Sequence, residues 1–151
     1  AAWPSVRVQV LPGVSAALSG AALLGAPLVH DFACISLSDM LTPWEKIAAR
    51  LRAAAQADFC IVLYNPASRA RPRHLAKACS VLLEYLPPDR PCGYVEHIGR
   101  EGERSAICTL GELQGQEVNM FTTVFIGNST SRIVAGKLVT PRGYASEGGL
   151  R

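Results

Sequence analysis

The sequence carries little charge, and that charge is nowhere concentrated. Only 18% of its 151 residues are charged, against 49% that are hydrophobic, and the formal net charge is +3. Lysines and arginines are spread from Arg7 to Arg151 without a dense block. Since nucleic-acid-binding domains concentrate basic residues on one face, we predict no nucleic-acid partner.

Features of a membrane or secreted protein are also lacking. No apolar run in the sequence approaches the roughly 20 residues that a bilayer-spanning helix needs. The first residues, 1–4, do not have the basic and then apolar layout of a signal peptide. We therefore predict no membrane partner and a cytoplasmic location.

Paired cysteines are absent as well. The five cysteines are an odd number, and no two form the CxxC pair typical of zinc sites. Three of them, Cys34, Cys60 and Cys108, lie within apolar runs. The pattern predicts reduced thiols packed in a core, with neither a disulfide framework nor a metal site.

What the sequence does contain is an alternation of strand-like and helix-like segments. Period-two or continuous apolar runs predict strands at 6–11, 32–37, 59–64, 92–98, 105–110, 122–127 and 133–139. Helical patterns fall at 16–25, 43–58, 72–85 and 111–118. This order, ending in a strand-rich section, predicts an α/β domain with a mixed β-sheet flanked by helices.

Two helix starts carry capping signals. Ser15 follows Pro12 and Gly13 and can cap the first helix. Thr42 is predicted as the N-cap of the second helix, with Pro43 at its first position and Glu45 at its third.

Polar turns follow or precede four of the predicted strands, at 12–16, 64–68, 97–100 and 121–123. In open α/β sheets, ligands collect at the carboxyl ends of strands, where helix N-termini offer free N–H groups. We therefore expect these turns to converge on one cleft.

Other interpretations of these turns stay open. Ser15 could be the nucleophile of a serine hydrolase with His97 as base, although a nucleophile elbow needs glycine where Ala17 stands. The run 127–131 lacks the lysine and the spacing of a P-loop. The chain could also be a non-catalytic interaction domain, a function that requires the fold and no catalytic residues.

Seven segments, in one order across nearly the whole chain, resemble the precorrin-3B C(17)-methyltransferase branch of the tetrapyrrole methylases. They are PGVSA (12–16), GAPLVHDF (25–32), SLSD (36–39), LTPWE (41–45), LYNP (63–66), TTVFIGN (122–128) and TPRGY (140–144). The first and fifth are shared with other tetrapyrrole methylases, which keeps another member of that family as an alternative.

The resemblance implies an architecture of two α/β domains with S-adenosylmethionine in the cleft between them. Residues 1–151 match only the second, C-terminal domain. The glycine-rich elements of the first domain would precede Ala1, so the chain alone is expected to be inactive. By position, the family's cofactor contacts fall on Ser15, Ala16, Tyr64, Asn65, Ile98, Gly99, Thr122 and Thr123.

The implied reaction is methylation of carbon 17 of precorrin-3B, or of its cobalt-containing equivalent, with ring contraction to precorrin-4. Contraction removes a hydroxyl proton, and His30 and Asp39 are the predicted catalytic residues because they lie in branch-specific segments. The small-molecule tetrapyrrole carries many carboxylates, which arginines bind well. The candidates are Arg69, Arg71, Arg100 and Arg104. The family also implies a homodimer.

Overall fold

The computed structural model describes residues 6–143, which form four helices and eight strands. The helices are α1 (Ala16–Leu24), α2 (Trp44–Gln56), α3 (His74–Leu82) and α4 (Leu110–Leu113). The strands are β1 (Gly25–Ala26), β2 (Phe32–Ser36), β3 (Cys60–Tyr64), β4 (Pro91–Glu96), β5 (Arg104–Thr109), β6 (Thr122–Ile126), β7 (Arg132–Val134) and β8 (Lys137–Val139).

Five strands form the main sheet in the order β2-β3-β6-β4-β5. Strands β2 and β3 are parallel, and the other neighbours are antiparallel. A small second sheet joins β1 in parallel to β8 of the β7–β8 hairpin. The predicted mixed sheet with flanking helices is confirmed.

Helices cover both faces of the main sheet. On β3, Ile61 and Leu63 face the larger core beneath α2, α3 and α4, whereas Val62 faces the smaller core beneath α1. Both faces of β3 and β6 are buried, which explains why these strands have continuous apolar sequences.

Helix α1 packs against the sheet through small side chains. Ala17, Gly20, Ala21 and Leu24 are buried, at the spacing of one helical face. A Cβ atom on Gly20 would lie 2.8 Å from Cζ of Phe125 on β6. Glycine therefore sets how close α1 comes to the sheet.

Two predictions near the start of the chain are wrong. Residues 6–11 form no strand among the described residues: they are exposed and pair with neither sheet. Thr42 does not cap α2: Pro43 is the N-cap, without a side-chain hydrogen bond, and the helix begins at Trp44.

Three other elements differ from their predicted extents. Helix α3 is shorter than 72–85 at both ends. Instead of a helix over 111–118, the single turn α4 is held by a capping box between Thr109 and Glu112. The segment 133–139 is a hairpin, reversed at Ala135 and Gly136, which both have positive φ as a type I′ turn requires. The features noted at 1–4 and at Tyr144 lie outside the described residues.

All five cysteines are free thiols. Cys60, Cys79 and Cys92 are buried and Cys108 is half-buried, as predicted, but Cys34 is exposed because β2 is an edge strand. Burial raises the pKa of Cys79 to about 12 and that of Cys108 to about 11, which keeps both thiols protonated. The described residues contain no group of side chains suited to a metal ion, and no helix there is long and apolar enough to cross a membrane.

Candidate functional site

One edge of the main sheet collects the predicted turns. Strand β6 runs antiparallel to both β3 and β4, so its first residue, Thr122, pairs with Glu96 at the carboxyl end of β4. The exits of β3 and β4 and the entry to β6 therefore lie side by side.

Tyr64, the last residue of β3, joins this edge to α1. Its hydroxyl oxygen accepts the N–H of Ala17 at 3.0 Å, in the first turn of the helix. Asn65 follows with φ of 53°, a left-handed conformation that asparagine tolerates better than most residues. Its side-chain amide donates to the Ser36 hydroxyl at 3.0 Å, which ties the exits of β2 and β3 together.

Ser15 is the N-cap of α1, as predicted. Its side-chain oxygen accepts the N–H of Leu18 at 3.4 Å. The histidines lie against other groups: His30 pairs with Asp31, His74 with Asp39, and His97 stacks on Phe121. No hydrogen bond joins Ser15 to a histidine among the described residues, and the Ser15 hydroxyl oxygen is engaged as a helix cap, which argues against a serine hydrolase.

These elements enclose a cleft of about 320 Å³. It is lined by Ala16, Tyr64, Asn65, His97, Ile98, Arg100, Met120, Phe121, Thr122 and Thr123. The structure thus brings together six of the eight predicted cofactor residues. Ser15 and Gly99 adjoin lining residues without lining the cleft themselves, and the Gly99 N–H donates to the Glu103 carboxylate at 2.6 Å.

Four lining residues were not among the eight selected cofactor contacts: His97, Arg100, Met120 and Phe121. Of these, Arg100 was a candidate for a substrate carboxylate, and Phe121 belongs to the predicted turn 121–123. The rings of His97 and Phe121 stack with centroids 5.0 Å apart, and the Arg100 guanidinium lies 5.8 Å from the Phe121 centroid. The sequence could have indicated these residues, because they are next to the two predicted pairs of cofactor contacts, Ile98–Gly99 and Thr122–Thr123.

Glu96 is the other functional candidate that the sequence did not reveal. Only 1% of it is exposed. Its carboxylate accepts hydrogen bonds from Thr122 Oγ1 at 2.9 Å, from Asn119 Nδ2 at 3.4 Å and from Arg104 Nε. Burial alone would raise the pKa of Glu96, but the bonds from Arg104 and Thr122 outweigh it and hold that pKa below its ordinary value.

Residues 1–114 match the family model of the tetrapyrrole (corrin/porphyrin) methylases. The chain belongs to the tetrapyrrole methylase family. It is 46% identical over 139 residues to a probable cobalt-factor III C(17)-methyltransferase of Salmonella typhimurium, covering 92% of this chain and 58% of that protein. It is 47% identical over 150 residues to a precorrin-3B C(17)-methyltransferase of Sinorhizobium sp, covering 96% of this chain and 59% of that protein.

A crystal structure of the methyltransferase CobJ superposes with a TM-score of 0.82 at 34% sequence identity. The match covers 91% of this chain and 58% of that one. This tetrapyrrole methylase chain thus spans somewhat more than half the length of these three relatives.

The two predicted catalytic residues do not line the cleft. His30 precedes β2, whose five residues span about 15 Å, so it lies at the amino end of that strand and away from the cleft edge. Its side chain is 62% exposed. His30 therefore lies outside this cleft, and its role as a catalytic base stays a prediction.

Asp39 lies beyond the carboxyl end of β2, on the same edge as the cleft. Its Oδ2 is 3.0 Å from Nε2 of the buried His74, and its Oδ1 is 3.6 Å from the Arg71 guanidinium. These groups, His74 foremost, hold the pKa of Asp39 below its ordinary value. Asp39 is thus an anionic acceptor and a weak base.

A larger groove of about 900 Å³ adjoins the cleft. It runs between the loop after β3 and the segment before β6, and it shares Met120 and Phe121 with the cleft. Arg69 lines this groove and Arg100 lines the cleft. Arg71 and Arg104, in contrast, face the internal carboxylates of Asp39 and Glu96.

Proposed function

We propose that this chain is the second domain of an S-adenosylmethionine-dependent C-methyltransferase of corrin biosynthesis, acting on carbon 17 of the macrocycle. The observation that carries the proposal is the cleft at the carboxyl ends of β3 and β4. Six residues selected from the sequence as cofactor contacts line it together. Their convergence comes from three distant segments and the N-terminus of α1.

The chemistry of the cleft suits an adenosyl group. Its lining among the described residues includes no carboxylate, and it offers an aromatic face at Phe121 and small or apolar side chains at Ala16 and Ile98. Apolar walls with a few placed polar groups are typical of sites for small molecules. We assign cofactor contact to Ala16, Tyr64, Asn65, Ile98, Thr122 and Thr123, with Ser15 and Gly99 at the border of the cleft.

S-adenosylmethionine supplies the methyl group as an electrophilic sulfonium, which becomes a neutral thioether when carbon 17 takes the methyl group. The main task of the protein is then to hold donor and ring carbon in line. The rigid sheet edge serves this purpose, because Tyr64 and Thr122 are fixed by hydrogen bonds to Ala17 and Glu96.

The groove next to the cleft supports a place for the macrocycle. It contacts the cleft through Met120 and Phe121, so a ring bound there would adjoin the donor. Arg69 and Arg100 are placed to pair with peripheral carboxylates of the tetrapyrrole. We retain Asp39 as a residue of the substrate side, acting as a hydrogen-bond acceptor. His97, which lines the cleft, joins His30 as a candidate for proton transfer.

The relatives favour two substrates, precorrin-3B and cobalt-factor III, and the geometry of this domain favours neither. Offering each compound to an enzyme that includes this chain, with mass analysis of the product, decides between them. A methylated, ring-contracted product is expected from one or both. Methylation without contraction would favour another tetrapyrrole methylase. We also propose that the enzyme is a cytoplasmic homodimer. Light scattering, which measures its mass in solution, tests the dimer.

Titration of the isotope-labelled chain with S-adenosylhomocysteine tests the cofactor assignment. We expect amide shifts at Ala16, Tyr64, Ile98 and Thr122. Ala16→Leu should abolish these shifts by filling the cleft. Ala22→Leu, at another exposed position on α1 outside the cleft, should leave them intact. Shifts confined to residues outside the cleft, or unchanged binding by Ala16→Leu, would refute the assignment.

A further inference from the structure

We infer that Glu96 is a positioning residue of the cleft: it fixes the 119–122 turn, and through Thr122 it sets the wall against which the cofactor binds. The inference rests on the proposed function. Glu96 does not line the cleft itself, so it acts on a ligand through the residues it holds.

The turn is joined to the end of β4 by the hydrogen bond from the His97 N–H to the Phe121 carbonyl at 3.3 Å, by the stacking of Phe121 on His97, and by side chains that bond to Glu96. Asn119 and Thr122 bond to each other, with the Asn119 N–H donating to Thr122 Oγ1 at 3.1 Å and the Thr122 N–H donating to the Asn119 carbonyl at 3.2 Å. Both side chains then donate to the Glu96 carboxylate. Glu96 thus anchors a locally bonded turn to the end of β4.

These hydrogen bonds occupy the donor capacity of the Thr122 hydroxyl. Its single proton is directed to Glu96 at 2.9 Å, and the same oxygen accepts the Asn119 N–H. A hydroxyl has one donor, so Thr122 has no proton left for a ligand. Contacts from the turn to a ligand therefore do not include a hydrogen bond donated by the Thr122 hydroxyl, and the Phe121 ring lines the cleft beside it.

Arg104 secures the carboxylate from the other side. It is the first residue of β5 and pairs with Glu96 across the β4–β5 ladder. A charged carboxylate bonded to three donors holds them more strongly than a neutral acceptor would. Removing it leaves the buried Thr122 hydroxyl only the Asn119 Oδ1 atom, at 3.5 Å, as an acceptor. We expect this loss to weaken cofactor binding about tenfold.

A double-mutant cycle tests the inference, with S-adenosylhomocysteine as the ligand and amide shifts of the folded chain as the readout. We expect Glu96→Ala and Thr122→Val each to weaken binding about tenfold. The double variant should weaken it by clearly less than the product of the two losses, because both substitutions remove the Thr122–Glu96 bond. Glu96→Gln keeps an acceptor for Thr122 and should lose only about threefold. Glu112→Ala, which removes a capping carboxylate outside the cleft, should bind like the wild type.

The outcomes separate this inference from the function on which it rests. If the wild type binds S-adenosylhomocysteine and Glu96→Ala binds it equally well, the inference alone is overturned. The same holds if the two losses of affinity multiply in the double variant. If Glu96 had a purely structural role, Glu96→Ala and Glu112→Ala would both have a lower thermal stability, and the two variants would bind S-adenosylhomocysteine with the same affinity. An enzyme that includes this chain and leaves the cleft amides unshifted would overturn the proposed function and this inference together.

Discussion

Replacing Gly20 by alanine should have two opposite effects on stability, one from helix propensity and one from packing. Alanine in a helix interior is favoured over glycine by about 1 kcal/mol. At this position, however, the new methyl group would lie 2.8 Å from Cζ and 2.9 Å from Cε2 of Phe125. Phe125 is 1% exposed and cannot swing into solvent. Overpacking of this kind costs about 1–3 kcal/mol, so we expect a net loss of about 1 kcal/mol.

Gly111 in α4 provides the matched control. A methyl group there would have its nearest contact at 3.4 Å, so Gly111→Ala should gain helix propensity without overpacking. Thermal and urea unfolding followed by circular dichroism measure both variants. For a chain of this size, 1 kcal/mol corresponds to a shift of about 2–4 °C in Tm. A Gly20→Ala variant more stable than the wild type would refute the packing argument.

The same substitution should weaken cofactor binding. The added methyl group would also lie 3.2 Å from Cδ1 of Ile98, which lines the cleft. Either Ile98 moves into the cleft or α1 moves outward, stretching the bond from the Ala17 N–H to Tyr64. A reduced response of the cleft amides to S-adenosylhomocysteine is expected for Gly20→Ala and not for Gly111→Ala.

Three further predictions concern acid, substrate and the isolated chain. The folded pKa of Glu96 lies below its ordinary value of 4.5, so its contribution to stability is present above pH 4.5 and is lost as the pH falls through the folded pKa. Unfolding measured across that range should be less acid-sensitive in Glu96→Gln. Asp39→Ala, in an enzyme that includes this chain, should reduce turnover of the tetrapyrrole. Unchanged kcat and KM would exclude Asp39 from the substrate side. The chain alone should bind S-adenosylmethionine weakly and transfer no methyl group, since half a cleft holds the donor loosely. Affinity equal to that of the longer enzyme in calorimetry would contradict this.

Local sequence patterns predicted those elements whose burial can be inferred from their own residues. The apolar runs at 59–64 and 122–127 became β3 and β6 with boundaries displaced by one residue, because strands covered on both faces need no polar alternation. Polar turns at strand exits likewise marked most of the cleft. The alternation at 6–11 was misleading, since a strand also requires a partner and no local pattern supplies one.

Features that depend on distant pairings could not be predicted. Glu96 ends an apolar strand, and its burial makes sense only once Arg104, Asn119 and Thr122 surround it. Likewise, the alternation of segments gives no sign that β6 inserts between β3 and β4. His30 was selected because it lies in a branch-specific segment, and only the direction of β2 shows that it is at the other edge.

The insertion of β6 is what makes one edge of the sheet suitable for a ligand. Strands β2, β3 and β4 run in the same direction, and β6 and β5 run against them. Three strand exits and two strand entries therefore meet at one edge. This edge brings together the backbone irregularities at Asn65 and His97, both with positive φ, and the buried carboxylate that fixes the entry to β6. A sheet whose neighbouring strands were all parallel would place Thr122 at the opposite edge and leave Glu96 without it.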